Sequence, residues 1–296
     1  MKRAARVAGA LAAPWLFALS RIAASKRLAT AAIRCDPSYV RALSAVCEGS
    51  DRTRLIFGQL QIALEIMAAT APAAHPTIKE NISHSQSQLL QDILCLVVHQ
   101  GKRNGYFVEI GVGDGVSISN THLLEKHYDW TGLLVEPCRG FEASIRTNRK
   151  AMLDTRAAVR VARPPLEFRE FSGAGEFSGL SSVVREQPTG GTDAISYMVE
   201  TASLDQILAK AGTPSSIDYM SIDTEGSELE ILAGLDLDRF RVGLFTIEHN
   251  ERPGEVEALK RLLEPRGYVQ ILSGVSRYDA WFVHRNIDLD GIPKLP

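Results

Sequence analysis

A doubly wound α/β fold, with a mostly parallel seven-stranded sheet and an antiparallel last strand, is the architecture this sequence predicts, and three observations carry it. From residue 106 onward, short apolar runs alternate with segments of helical period, the pattern of parallel strands joined by crossover helices. The first of these runs, "YFVEI", passes into glycines at alternate positions, Gly111, Gly113 and Gly115, at the end of the strand where such sheets hold their ligands. The last two runs are joined only by "SGVSRYD", which is too short for a crossover helix, so the final strand turns back.

The N-terminal part is of a different kind. Residues 1–34 carry Lys2, Arg3, Arg6, Arg21, Lys26, Arg27 and Arg34 and no acid. Their apolar stretch "VAGALAAPWLFALS" is shorter than the roughly 20 residues of a membrane span. Three readings stay open: a signal or transit peptide, an amphipathic helix in peripheral contact with anionic lipid, or an accessory helix. Helical periodicity follows over 37–70, and "TAPAAHPT" with Pro72 and Pro76 breaks it, which sets a boundary between an N-terminal helical extension, 1–80, and the main domain, 81–296. A further helix is expected over 85–100, with Ser85 or Ser87 as cap and Leu89, Leu90, Ile93, Leu94 and Val97 on one stripe.

Beyond it, strands are expected at 106–110, 132–136, 157–161, 217–222, 242–247, 268–272 and 280–284. Helices are expected at 117–127, 141–149, 204–211, 227–235 and 253–265. The Gly- and Ser-rich stretch 164–197 reads as a long loop over the site, of the sort that sets substrate choice. Composition excludes several classes of function. With 33 Lys and Arg against 35 Asp and Glu, there is no electrostatic footprint of a nucleic-acid protein. Cys35, Cys47, Cys95 and Cys138 are scattered without C-x-x-C spacing, so neither zinc nor a disulfide framework is indicated, and a reducing, cytoplasmic setting is the default.

The glycine loop is not the dinucleotide fingerprint. G-x-G-x-x-G requires a glycine where Val116 stands. Glycines here let the backbone pass close beneath a ligand, and Glu109 can meet a ligand ammonium or hold the loop. In "GLLVEP", Glu136 ends the next strand 25 residues after Gly111, where a carboxylate can accept from both hydroxyls of a ribose. The form acid-x-Gly-x-Gly-x-Gly is similar to the first motif of S-adenosylmethionine-dependent methyltransferases, and the strand pattern resembles the class I methyltransferase (Rossmann-like) fold.

Taken in order, "FVEIGVGDGVSISNTHLLEKHYDWTGLLVEP", "NRKAMLDTRAAV", "SLDQIL", "IDYMSIDTEGSELEILAG" and "LFTIEHN" resemble the FkbM family of methyltransferases over roughly residues 91–284. The resemblance implies S-adenosylmethionine as donor and an oxygen as acceptor, on a sugar, glycolipid or other secondary metabolite. It implies a cofactor site made by Glu109, Gly111, Gly113, Asp114, Gly115, Ser117, Asn120, Glu136 and Pro137. The chain departs from the family at Cys138 and Arg139, which follow "EP" on the adenine side. Glu125 and Trp130 resemble family positions as well, whereas His122 and His127, five apart, lie on different helix faces and make no metal pair.

A second cluster ends the middle strands. "YMSIDTEGSE" places Asp223 and Glu225 at one strand end, with Ser227 and Glu230 at capping-box spacing on the next helix, and "FTIEHN" places Glu248, His249 and Asn250 at the next strand end. Asp223, Glu225, Glu248 and His249 are the candidate catalytic residues. His249, with an ordinary pKa near ~6.5, is a natural proton acceptor, and Asp223 is the alternative. A Mg2+ ion on Asp223, Glu225 and Glu248 is a lesser reading, and without a dense ligand motif no metal site is assigned. The preferred function is an O-methyltransferase with a small-molecule or glycan acceptor. An NAD-dependent oxidoreductase and a non-catalytic cofactor-binding scaffold remain as alternatives.

Overall fold

The computed structural model describes residues 51–172, 175–183 and 193–288, so the basic segment 1–34 and its membrane reading lie outside the described residues. Two compact units divide the chain, the first ending at Gly101 and the second running from Lys102 to Asp288. The first holds α1 (Asp51–Ala69), α2 (His75–Asn81) and α3 (Gln91–Val98). The boundary expected at residue 80 falls in the last turn of α2, within this unit. Helix α1 stops before the two prolines: Pro72 opens a 3-10 turn, and Pro76 occupies the first turn of α2, where a missing N–H costs nothing. Helix α3 begins later than its periodicity suggests, after Leu90 at φ +59°. Ser87 Oγ still accepts from the amide of Asp92, and Ser85 Oγ donates to the Asp92 carboxylate at 2.7 Å. No helix among the described residues is long and apolar enough to cross a membrane.

The second unit holds β1 (Tyr106–Ile110), α4 (His122–Tyr128), β2 (Thr131–Val135), α5 (Arg139–Asn148), β3 (Met152–Asp154), β4 (Ala157–Val159), β5 (Leu166–Phe171), β6 (Gly179–Leu180), β7 (Ala194–Val199) and β8 (Thr201–Ser203). It continues through α6 (Leu204–Lys210), β9 (Ser216–Ile222), α7 (Glu228–Leu232), β10 (Arg241–Glu248), α8 (Glu255–Leu263), β11 (Tyr268–Ile271) and β12 (Asp279–His284). Seven strands form the main sheet in the order β11-β12-β10-β9-β1-β2-β3. β12 runs antiparallel to both β10 and β11, and the remaining pairs are parallel. This is the expected fold class. Val108, Ile110, Met220, Ile222, Phe245 and Ile247 are buried at its centre, as a parallel sheet covered on both faces requires.

Three expectations need correction. The third parallel strand is β3, not 157–161. Arg156 donates its amide and guanidinium to Asp154, which bends the chain after β3 and frees β4 to pair in parallel with β8 as a separate two-stranded sheet. The stretch 164–197 is not a plain loop: β6, β5 and β7 form a three-stranded sheet, β5 antiparallel to both neighbours, and residues 173–174 and 184–192 lie outside the described residues. Finally, the helix expected from residue 117 starts only at His122. The amides of Val116, Ser117 and Asn120 are taken by the carboxylates of Asp114 and Glu109, and Ile118 stands at φ +56°, so the helix does not extend back to residue 117.

Candidate active site

The turn after β1 is held from within by buried charge. Glu109, 1% exposed, accepts from the Asn120 amide at 2.6 Å, from the hydroxyls of Ser119 and Thr121, and from Arg149 at 3.5 Å. These bonds give Glu109 the structural one of its two expected roles, holding the loop. Arg149, with no exposed side-chain surface, also bonds Glu125 at 3.0 Å, the Gly115 carbonyl at 3.2 Å and Thr121 Oγ1 at 2.8 Å. Sequence reasoning missed Arg149, because an arginine closing a helix usually reads as solvated. Asp114 and Ser117 serve the same turn, the Asp114 carboxylate accepting from the Val116 and Ser117 amides and from Ser117 Oγ. Asn120 bridges to β9, its Nδ2 donating to Ser221 Oγ at 2.9 Å, while its Oδ1 is buried without a partner.

The three glycines do different work. A side chain on Gly111, at φ +79°, would place its Cβ 1.6 Å from the Asp223 carbonyl oxygen. Gly115 packs on Arg149 and Ile145. Gly113, at φ +59°, meets nothing within 4 Å, so its bare backbone faces open space.

Glu136 closes this side. Its Oε2 accepts from the amides of Val112 and Gly113 at 2.9 and 3.0 Å, and its Oε1 from Cys138 at 2.9 Å. Burial pushes its carboxyl above the usual glutamate range, and the three backbone donors oppose that shift. Pro137 follows and lines a cleft of about 330 Å³ together with Cys138, Arg139, Thr155, Arg156 and Met198. Burial, then the Glu136 charge, pushes the Cys138 thiol up to about 12, so it is inert as a nucleophile.

The acidic cluster assembles across the neighbouring strand ends. Carboxylate oxygens of Asp223, Glu225 and Glu248 lie within 4.8 Å of one another. The Asp223 amide donates to the Ile110 carbonyl at 2.9 Å, which seats this cluster against the start of the glycine loop. Burial first raises the carboxyls of Asp223 and Glu248; the Asp279 charge comes next for Asp223 and the Asp223 charge for Glu248, which rises to about 11. The expected Ser227–Glu230 capping box does not form, since Ser227 makes no side-chain cap bond. Glu228, fully buried, takes that role instead: its Oε1 accepts from the amides of Thr224 and Gly226 and from the Thr224 hydroxyl. A capping box does form at α6, between Ser203 and Gln206, and the S-x-x-Q spacing in "SLDQIL" was its legible signal.

The ring of His249 is fixed by its neighbours. Its Nδ1 accepts from the Glu251 amide at 3.0 Å, and burial lowers its pKa, so the neutral ring keeps its proton on Nε2. In that tautomer Nδ1 is engaged by the Glu251 amide and Nε2 already carries the proton.

A family model described as "Methyltransferase FkbM domain" matches residues 109–269. Among solved structures, the precorrin-6y C5,15-methyltransferase from Geobacter metallireducens GS-15 is similar at 15% identity with a TM-score of 0.32, covering 65% of this chain and 85% of its own. The CurJ carbon methyltransferase is similar at 9% identity with a TM-score of 0.36, covering 88% and 83% respectively. No curated protein matches the sequence.

Proposed function

The chain belongs to the FkbM methyltransferase family, whose model spans more than half of it, and from that premise we propose that it methylates a hydroxyl oxygen of a small-molecule or glycan acceptor with S-adenosylmethionine as donor. The observation that carries this reading is the shared wall: Gly111 of the donor loop lies against the backbone of Asp223, the first residue of the acidic crevice. A donor laid over the loop and an acceptor held in the crevice would face one another.

The cofactor fits the residues present. The backbone of Gly113 faces open space, which leaves room for a ligand to lie against it. Glu136 gives three of its acceptor sites to the Val112, Gly113 and Cys138 amides, which leaves one on Oε1 for a single ribose hydroxyl, and Pro137 begins the cleft beside it. When bound, the donor supplies a methyl carbon made electrophilic by its sulfonium, and the carbon–sulfur electron pair returns to sulfur as the new carbon–oxygen bond forms. The protein contributes position above all. The acceptor hydroxyl donates its one hydrogen bond to Asp223, which selects a protic oxygen, and the proton it loses passes there. The β5–β7 sheet stands in the stretch between β4 and β8 where substrate choice would be exercised.

The test is calorimetry with S-adenosylmethionine, S-adenosylhomocysteine and NAD, joined to transfer of a labelled methyl group onto a panel of glycans, glycolipids and hydroxylated small molecules. Binding of the first two ligands and an O-methyl product are expected. A product methylated on carbon would overturn the oxygen assignment, and binding of NAD alone would overturn the donor.

A further inference from the structure

We infer that Asp223, Glu225 and Glu248 form a binding site for a hard divalent cation of the Mg2+ class, placed to hold the acceptor oxygen in the crevice. The role as acceptor holder rests on the proposed methyl transfer; the cation site itself does not.

Two independent observations point to a ligand. One oxygen from each of the three carboxylates falls within 4.8 Å of the others, so a side-chain shift of about a few tenths of an ångström at most brings all three to a single ion at the 2.0 to 2.6 Å, roughly, of hard-cation bonds. Separately, Glu248 is 8% exposed, and its Oε2 is cut off from solvent with no hydrogen-bond partner in the structure. A buried carboxylate oxygen left without a donor is costly, and an oxygen so placed beside two further carboxylates is satisfied by a cation.

Near the cluster, the charges that bear on Asp223 are of its own sign. Asp279 and Glu228 add negative charge beside Asp223. Arg252 points at Glu228 at 3.5 Å and Glu255 at 3.9 Å. A proton shared between two carboxyls neutralises one charge of the cluster, whereas a divalent ion neutralises two and gathers all three side chains. The donor set, all carboxylate oxygen, favours Mg2+ or Mn2+ over a soft metal. The sequence showed no dense motif because the ligands come from the ends of two different strands, β9 and β10.

The experiment titrates MnCl2 into chelator-treated full-length protein, with free Mn2+ followed by electron paramagnetic resonance, and then displaces it with MgCl2. One saturable site is expected, with Mg2+ competing for it. Glu248→Gln and Glu225→Gln should each weaken it tenfold or more. Glu225 is partly exposed, so that variant tests the site even where Glu248→Gln compromises folding, and circular dichroism checks both. Absence of a saturable site in the wild type, or a site indifferent to both substitutions, overturns the inference. S-adenosylmethionine binding measured on the same samples separates the two readings. Cofactor binding without Mn2+ binding sinks the cation site alone, while Mn2+ binding at these residues without cofactor binding keeps the site and sinks the methyl transfer.

Discussion

At the scale of single residues, Arg149 decides whether the donor loop stands. It is the cation between two buried carboxylates, Glu109 and Glu125, and losing it strands both. Arg149→Met should therefore destabilise the protein by about 3–5 kcal/mol, the range for removing one partner of a buried ion pair, seen as a lower urea midpoint. Arg149→Lys keeps the charge but loses the planar fork and should fall between. The pair also predicts a pH dependence. Burial pushes the Glu125 carboxyl up, but the Arg149 charge and the hydrogen bonds of Arg149, Lys150 and Ala151 outweigh it, leaving its pKa below the ordinary 4.5. A depressed folded-state pKa means the contribution is complete above pH 4.5 and is lost as pH falls through the folded value. Urea midpoints measured from pH 6 down to 3 should show that loss in wild type and a shallower one in Arg149→Met; parallel curves would remove Glu125 from the account.

At the scale of elements, the turn between β1 and α4 separates architecture from binding. Gly111→Ala puts a methyl group into the Asp223 carbonyl and should unfold or severely destabilise the unit. Gly113→Ala meets only open space, so its cost is the left-handed strain of about 1–2 kcal/mol, while its methyl group enters the proposed donor cradle. Thermal melts and calorimetry on the two variants should thus split, one failing in stability and the other in cofactor affinity. Glu136→Gln belongs to the same element. An amide can accept from Val112 and Gly113, but it turns an N–H toward the Cys138 amide, so roughly 1–3 kcal/mol of stability should go along with affinity. Equal stability in the variant would show that the three backbone bonds are dispensable. The sequence made this turn visible because glycine and acid placement is a local property. It also showed the sheet's last hairpin, since a seven-residue joint forbids a crossover. It hid what depends on distant partners. β4 left the main sheet because Asp154 and Arg156 close a bend and β8 offers an edge, and neither is visible in "AAV". Glu109 turned inward because Arg149, forty residues away, waits for it. In the acidic crevice the residues were legible one by one, whereas the tautomer of His249 depended on a single amide two residues on.

At the scale of the whole molecule, two asymmetries matter: charge along the chain and ligand sites across the sheet. Residues 1–34 hold seven cations and no acid, while the whole chain is formally −2. If that segment meets anionic lipid, each cation near the surface adds about 1 kcal/mol. Full-length protein should then sediment with phosphatidylserine vesicles at low salt and release at high salt, whereas a chain begun at residue 35 should stay in solution in both. Across the sheet, strand order reverses between β1 and β9, and the loop after β1 and the crevice after β9 and β10 open at this switch point, where doubly wound sheets bind their ligands. The two sides should consequently be separable by linkage. A ligand that binds only the folded state stabilises it by about 2.7 kcal/mol at a hundred times its dissociation constant, which for a unit of this size raises the melting temperature by roughly 5–10 °C. Wild type and Glu248→Gln should both show that rise with S-adenosylmethionine, because Glu248 belongs to the acceptor side, and Gly113→Ala should not. Turnover should be lost in both variants. A Glu248→Gln protein that no longer responds to the cofactor would place the acid in the donor site, and a Gly113→Ala protein that responds fully would move the donor off the glycine loop.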